Sequence, residues 1–324
     1  MATSAYAGAV TVSGTANLTY TAKSGKQDSP NAAGDAQVGQ DGNRWGLNKT
    51  ISFAGSGELD NGWTISVSQS LNAGSTTGVG LTLDMGDAGS INYEADTGAR
   101  GIGKIKDMMP TADEDVGNGI DVDGSGTAGG VTGKVSGGGQ GFHYSKAMDM
   151  IEIGLGYAPK GGSAVTAGAT SGPGATASYT SAFVKIDPMD GLEIGFGVGE
   201  KAAASDGDKN QTDDMDTMYV TYVYGPVTVG YQESERDTYT STESDDEQTR
   251  WGVLYAVNDE LSISYQDHVN DQVNITTDEE ATGWSASYTV GSMTFKAHRN
   301  HADNVGNAVS MESEHTEVGV TFAF

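Results

Sequence analysis

The chain has 324 residues, among them 17 Lys and Arg, 44 Asp and Glu and no Cys, and its formal net charge is -27. This excess of carboxylates repels a phosphate backbone and excludes a basic nucleic-acid surface, while the absence of Cys excludes disulfide frameworks, thiolate zinc sites and cysteine nucleophiles. The longest apolar runs, such as 253–257, are far shorter than the roughly 18 residues that a membrane-spanning helix needs.

The first seven residues, MATSAYA, precede the first regular pattern. They have neither the basic region nor the apolar region of a complete signal peptide, although Ala5-Tyr6-Ala7 fits the small-residue pattern of a cleavage site. We interpret residues 1–7 as a signal-peptide remnant or a cloning-derived start, and we predict a single domain over residues 8–324.

From residue 8 onward, apolar and polar residues alternate with a period of two, which is typical of strands with one apolar face. The pattern predicts sixteen strands, near 8–22, 46–57, 61–72, 78–85, 87–95, 140–147, 150–158, 175–187, 191–201, 215–225, 226–234, 249–258, 259–268, 281–290, 291–300 and 314–324. Tight turns alternate with long connections, the long ones being 23–45, 73–77, 96–139, 159–174, 202–214, 235–248, 269–280 and 301–313. The chain is therefore predicted to be all-β, with strands that run up and down.

The aromatic residues distinguish a soluble sandwich from a barrel that turns its apolar face outward. Tyr and Trp cluster near the predicted strand ends, as expected for aromatic girdles at two membrane interfaces. Because lipid leaves no backbone group unpaired, a sheet can span a membrane only by closing on itself, and an even strand number allows the first and last strands to pair antiparallel. We predict a transmembrane antiparallel up-and-down β-barrel of 16 strands with short periplasmic turns, long extracellular loops and a lumen wide enough for water.

Three segments carry a resemblance to a known family: the opening Val12–Ala16 (VSGTA), the hairpin Leu83–Gly89 (LDMGDAG) and the closing Val318–Phe324 (VGVTFAF). They resemble the Gram-negative general porins of the alphaproteobacterial type. The resemblance implies an outer-membrane homotrimer through which small hydrophilic solutes diffuse passively. It also implies contact with outer-membrane lipids and lipopolysaccharide, and a third long loop, here 96–139, that folds into the lumen.

The first part of that loop carries segregated charges. Its cations come first and its carboxylates follow, and the candidate constriction residues are Arg100, Lys104, Lys106, Asp107, Asp113, Glu114 and Asp115. Opposed charges across a narrow gap set up a transverse field that orders water and disfavours apolar solutes. The alternative is a solvated outer loop with ordinary surface charges.

Strand parity places a few cations on the lumen-facing register of the wall. These candidate wall residues are Lys23, Arg44, Lys201, Arg250 and Lys296. Because they are few and the long loops are acidic, we expect the pore to prefer cations. The alternatives are a sugar-specific or ion-specific channel of the same fold, or a secreted or cell-surface β-rich adhesin.

The remaining motifs give little support for metal binding or catalysis. Asp121 and Asp123 are weak candidates for a calcium loop, but the segment lacks the closing Glu, so we expect no cofactor and at most adventitious Ca2+ at acidic loops. Catalytic motifs such as GxSxG are absent, and we expect no enzymatic activity. Phe324 ends the last apolar register, and the family resemblance implies that the barrel-assembly machinery reads it as an assembly signal.

Overall fold

The computed structural model describes residues 10–27, 36–37, 44–72, 75–94, 100–120, 141–159, 178–202, 212–238, 245–272, 276–305, 309 and 311–324. None of the helices in these ranges has the length and hydropathy of a membrane span. Residues 1–7 lie outside the described ranges, and their interpretation as a signal remnant stays a prediction.

A single antiparallel sheet closes into a barrel of sixteen long strands. A further strand, β2, has only two residues and pairs with the end of β1. The strands are β1 (Thr11–Gln27), β2 (Ala36–Gln37), β3 (Trp45–Glu58), β4 (Thr64–Asn72), β5 (Ser75–Asp84), β6 (Ser90–Glu94), β7 (Gly141–Met148), β8 (Ile151–Ala158), β9 (Tyr179–Met189), β10 (Leu192–Ala202), β11 (Thr212–Tyr224), β12 (Val227–Asp237), β13 (Asp246–Ala256), β14 (Leu261–Gln272), β15 (Glu279–Val290), β16 (Met293–Asp303) and β17 (Glu312–Ala323). The predicted barrel of 16 strands is confirmed.

The closing seam joins the first strand to the last. β1 pairs antiparallel with β17 from Thr15↔Ala323 to Lys26↔Glu312, and it pairs with β3 on its other side. At the seam, the Gly14 N–H donates to the Phe324 carbonyl (2.8 Å) and the Phe324 N–H donates to the Gly14 carbonyl (3.0 Å). The last residue therefore completes the ladder and leaves no open edge there.

Two sequence predictions about the connections are wrong. The predicted long connection 73–77 is only two residues, because β5 begins at Ser75. Several strands also run beyond their predicted outer ends, so that β12 reaches Asp237 and β14 reaches Gln272. The reason is that apolar alternation marks only the apolar band, whereas the backbone ladder continues above it with carboxylates such as Glu235 at outward positions.

The two faces of the strands differ as parity requires. On β13, the outward positions Trp251 and Tyr255 remain exposed, while the inward Arg250 and Gly252 are buried. Outward aromatic side chains pair across neighbouring strands, as Trp251 does with Tyr265 at a ring-centroid distance of 5.4 Å. The outside of the barrel thus carries an apolar, aromatic band and the inside is polar.

Candidate pore constriction

Residues 100–120, which we call the constriction loop, run around the inner wall of the barrel. The loop begins beside β7, where the Gly101 N–H donates to His143 Nδ1 at 3.1 Å, and next to β9, where the Ile102 N–H donates to Ser181 Oγ at 3.2 Å. Its far end lies beside β17, where a side chain at Gly119 would meet the His315 ring. For the part of the loop that the structure describes, the contacts with the wall therefore extend from β7 to β17. The remaining wall is formed by β1 and β3–β6.

Apolar side chains fix the loop to the wall at both ends. Ile102 and Ile105 are fully buried in a cluster with wall residues that include Tyr179 and Phe183. Ile120 is also fully buried, in a second cluster with Ala302 and Met311. Burial of these side chains stabilises the folded-in loop by roughly 1.5–3 kcal/mol each.

Inward glycines on the wall make room for the loop backbone and side chains. A methyl group at Gly156 would lie 2.7 Å from Gly101 N, and one at Gly197 would lie 2.7 Å from Ile102 Cγ1. A methyl group at Gly230 would lie 2.6 Å from Pro110 Cδ. Glycine is therefore the residue that allows this close approach at each position.

Carboxamide and hydroxyl side chains of the wall bind the loop backbone. Gln232 accepts from the Met108 N–H (3.0 Å) and donates to the Ile105 carbonyl (2.8 Å). Gln266 accepts from the Val116 N–H (2.8 Å) and donates to the Pro110 carbonyl (3.2 Å). Ser264 and Ser285 accept from the backbone N–H groups of 112 and 113. The hydrogen bonds of these loop backbone groups are thus made with side chains of the wall instead of within a helix or sheet.

Asp113 forms the central electrostatic contact between loop and wall. Its carboxylate lies 2.5 Å from Lys296 Nζ and 3.2 Å from His298 Nδ1. Burial raises the pKa of Asp113, but the hydrogen bonds and charges of His298 and Lys296 outweigh it and hold the pKa below 3.8. The second ring nitrogen of His298 lies 3.1 Å from His315 Nδ1, so this polar chain continues to β17.

A second charged group surrounds Arg250, whose guanidinium is buried on β13. Arg250 lies 3.5 Å from Asp107, and the Asp115 carboxyl hydrogen-bonds the Asp107 carboxyl. Burial and the negative charge of Asp107 raise the pKa of Asp115 to about 7, although Arg250 opposes the shift. The Asp115 carboxyl is therefore about half-protonated at neutral pH.

The other candidate residues have different positions. Arg100 is fully buried at the start of the loop, while Lys104 and Glu114 are exposed and Lys106 is half-buried. Lys201 pairs with Asp213 at 3.3 Å, and Lys23 lies opposite His315 in the β1–β17 register. The Arg44 guanidinium donates to the Tyr20 hydroxyl at 3.4 Å, just before the first residue of β3. Asp121 and Asp123 lie outside the described residues, so their calcium role stays a prediction.

Sequence reasoning missed several residues that hold the loop. The sequence patterns predict no loop-holding role for Gln232, Gln266, Asn300, His298 or the wall glycines. Parity was the available signal, because His298 and Asn300 share the inward register of Lys296. The inward glycines 195, 197 and 199 on one strand were a second signal, since Gly in a strand often marks close backbone approach.

Solved porin structures resemble this barrel over nearly its whole length. An anion-selective porin from Comamonas acidovorans aligns with a TM-score of 0.67 and 14% identity, covering 98% of this chain and 99% of that one. A porin refined at 1.8 Å resolution aligns with a TM-score of 0.66 and 14% identity over 98% and 100% of the two chains. The outer-membrane-expressed OmpT of Vibrio cholerae gives 0.64 and 12% over 97% of each chain. At these identities the likeness shows the fold.

A comparison with curated proteins gives no match. A model of the Gram-negative porin family, in contrast, matches residues 1–312. The chain belongs to the Gram-negative porin family. This porin is therefore an outer-membrane channel through which solutes pass, and it is not an enzyme.

Proposed function

We propose that this porin is a general diffusion channel for small hydrophilic solutes and that it prefers cations. The observation that carries the preference is the pairing of the inward wall cations. Five of them lie in ion pairs with carboxylates: Lys185 with Glu152, Lys201 and Arg236 with Asp213, Arg250 with Asp107, and Lys296 with Asp113. Their positive charge is largely balanced at the wall, while Glu114 is exposed on the loop and the chain as a whole carries a charge of -27. A mobile cation therefore meets less repulsion than a mobile anion.

The part of the wall beyond the contacts of the constriction loop supports a non-specific passage of solutes. Its inward positions carry hydroxyl and amide groups, which include Asn17 and Thr19 on β1, Thr50 and Ser52 on β3 and Ser68 and Ser70 on β4. These groups hydrogen-bond one another, as Ser52 and Ser70 do at 2.8 Å. Such a surface replaces water contacts of many hydrophilic solutes without selecting one charge pattern.

Reversal potential in a KCl gradient across a planar bilayer tests the proposal. The expected sign is that of a cation-preferring channel, and the preference should weaken at high salt because exposed charges are then screened. An anion-selective sign, such as the name of the Comamonas acidovorans porin implies for that protein, contradicts the proposal. Saturable block by one sugar would favour the sugar-specific alternative.

The assembly is part of the same proposal. We infer a homotrimer with outer-membrane lipids and lipopolysaccharide around it, inserted by the barrel-assembly machinery, because the family is consistent with homotrimeric outer-membrane assembly. Cross-linking of the detergent-purified protein tests the trimer, and a single monomeric band contradicts it.

A further inference from the structure

A row of inward residues crosses five neighbouring strands beneath the constriction loop. Gly230 on β12 pairs directly with Gly252 on β13, Gly252 with Gln266 on β14, Gln266 with Gly283 on β15, and Gly283 with Asn300 on β16. Glycine and carboxamide therefore share one line across the wall. The line is perpendicular to the strands, so it forms a shallow groove on the inner wall along which a loop can lie.

The glycines of this row provide space. A methyl group at Gly252 would lie 3.3 Å from Pro110 Cδ, and one at Gly283 would lie 3.2 Å from Val116 Cγ2. The loop thus lies close against β13 and β15, at a distance where side chains of the row can reach its backbone.

The carboxamides supply the contacts, and each makes two of them. Gln266 binds the loop at Pro110 and Val116, and Asn300 donates to the carbonyls of Asp115 (3.1 Å) and Asn118 (2.9 Å). Gln232 is the next inward residue after Gly230 on β12. Like Gln266, it both donates and accepts, with the Ile105 carbonyl and the Met108 N–H as its partners. The three carboxamides are 34 positions apart, since Gln266 follows Gln232 and Asn300 follows Gln266 by that number. Each of the alternate strands β12, β14 and β16 therefore contributes one carboxamide.

The bound backbone segments include the carboxylates of the constriction loop. Asp107 lies between the two loop residues that Gln232 binds, and Asp113 and Glu114 lie between the two that Gln266 binds. Asp115 has its own carbonyl bound by Asn300. A neutral carboxamide can donate and accept at once without adding a charge to the pore, which neither an apolar nor an ionised side chain can do.

We propose that Gln232, Gln266 and Asn300 are positioning residues that hold the constriction loop against the wall and thereby fix where its carboxylates stand in the pore. The inference rests on the proposed channel function for its effect on permeation. Its structural part, the immobilisation of the loop, is independent of that function and can be measured without current.

The experiment compares Gln232→Met, Gln266→Met and the double variant with the matched control Gln69→Met. Met keeps the length of the side chain and removes both contacts, whereas Gln69 is an exposed outward residue on β4. Because the chain has no Cys, Glu114→Cys in each background takes a single nitroxide label on the loop. We measure label mobility in the purified labelled barrels, and folding by gel migration before and after heating. Open-channel current noise and reversal potential are measured in the same backgrounds with Glu114 intact.

We expect the single variants to fold, label mobility and current noise to rise in each and most in the double variant, and the reversal potential to shift toward zero. The control should match the parent. Gln266→Glu keeps the acceptor for the Val116 N–H and loses the donor to Pro110, so its label mobility should lie between those of the parent and Gln266→Met. If the folded Met variants keep parental label mobility, the proposal is overturned. Where Gln266→Met does not fold, Gln266→Glu replaces it, and parental label mobility in that variant overturns the proposal for Gln266.

The two proposals fail in different measurements. A parent protein without conductance contradicts the channel function but leaves label mobility to decide the role of the carboxamides. Increased label mobility without any change in noise or reversal potential overturns the claim that the carboxamides fix the permeation charges.

Discussion

The ammonium of Lys296 on β16 lies 2.5 Å from the carboxylate of Asp113 on the constriction loop. The Asp113 side chain is only 4% exposed, and its backbone N–H is bound by Ser285 on the neighbouring strand. One residue of the loop therefore joins two strands of the wall, and at the same time it balances the positive charge of a lumen cation.

Asp113→Asn should weaken both functions of this contact. Removing one partner leaves Lys296 uncompensated, so we expect the anchoring of the loop to lose about 1–3 kcal/mol, less than for a fully buried pair because Lys296 keeps 33% exposure. The cation preference should also fall. Reversal potential and the temperature at which the folded band is lost on gels measure the two effects.

Glu114→Gln is the control for that substitution. It removes the same charge from an exposed position of the same loop. We expect a lower cation preference with unchanged thermal stability. Equal stability of the Asp113→Asn and Glu114→Gln proteins would contradict an anchoring role for Asp113.

The pore should change its selectivity with pH because of Asp115. The pKa of this carboxyl is about 7, since burial and Asp107 oppose its ionisation. It is neutral below and charged above that pH, so cation preference should rise between about pH 6 and pH 8. The groups that face it are Asp107, Glu114 and Arg250, and His268 lies opposite Arg250 on the next strand.

The same pKa sets the sign of the stability effect. A carboxyl whose pKa is higher in the folded protein than its ordinary 3.8 binds protons more tightly there than in the unfolded chain. The anchoring of the loop should therefore weaken as the pH rises from about 4 through about 7. Asp115→Asn should flatten both profiles, and a selectivity step that persists in this variant would assign the titration to another group.

Gly230→Ala should narrow the pore. Its methyl group would lie 2.6 Å from Pro110 Cδ, so the loop has to move away from the wall, at a cost of about 1–3 kcal/mol. We expect a lower single-channel conductance. Gly55→Ala is the matched control because its nearest neighbour would be Val10 Cγ2 at 3.9 Å, and it should conduct like the parent. Parental conductance in Gly230→Ala would show that the loop does not rest on this glycine.

The terminal aromatic ring and Gly14 should act as a pair at the closing seam. A methyl group at Gly14 would lie 2.6 Å from the Phe324 ring, so Gly14→Ala should lower the yield of folded barrel. Phe324→Ala removes the ring and should also lower the yield, because the seam loses its cover. In the double variant the clash is gone, so the two effects should not add. Strict additivity in folded yield would contradict the pairing, and Phe322→Ala on the same strand serves as control.

Local pattern was sufficient for the strands of this porin. Outward residues of one strand, such as Trp251 and Tyr255, are separated by an even number of positions. This period can be recognised from residues that are close in the chain, without knowledge of distant ones. It predicted sixteen strands and their inward and outward faces. It failed at the outer strand ends, where Glu235 and Asp237 continue a ladder that no apolar residue marks.

The path of the constriction loop depends on contacts between residues that are distant in the chain. Its segment has no period, and its partners are far away in the chain: Thr111 meets Ser285 across 174 positions, and Asp113 meets His298 across 185. Charge order suggested a field across a gap, but it could not tell that Asp113 turns into the wall while Glu114 stays exposed. Alternation is local, and it was therefore enough to predict the barrel. The constriction depends on closure of the sheet, because only a closed barrel brings β7 and β17 to the two ends of residues 100–120.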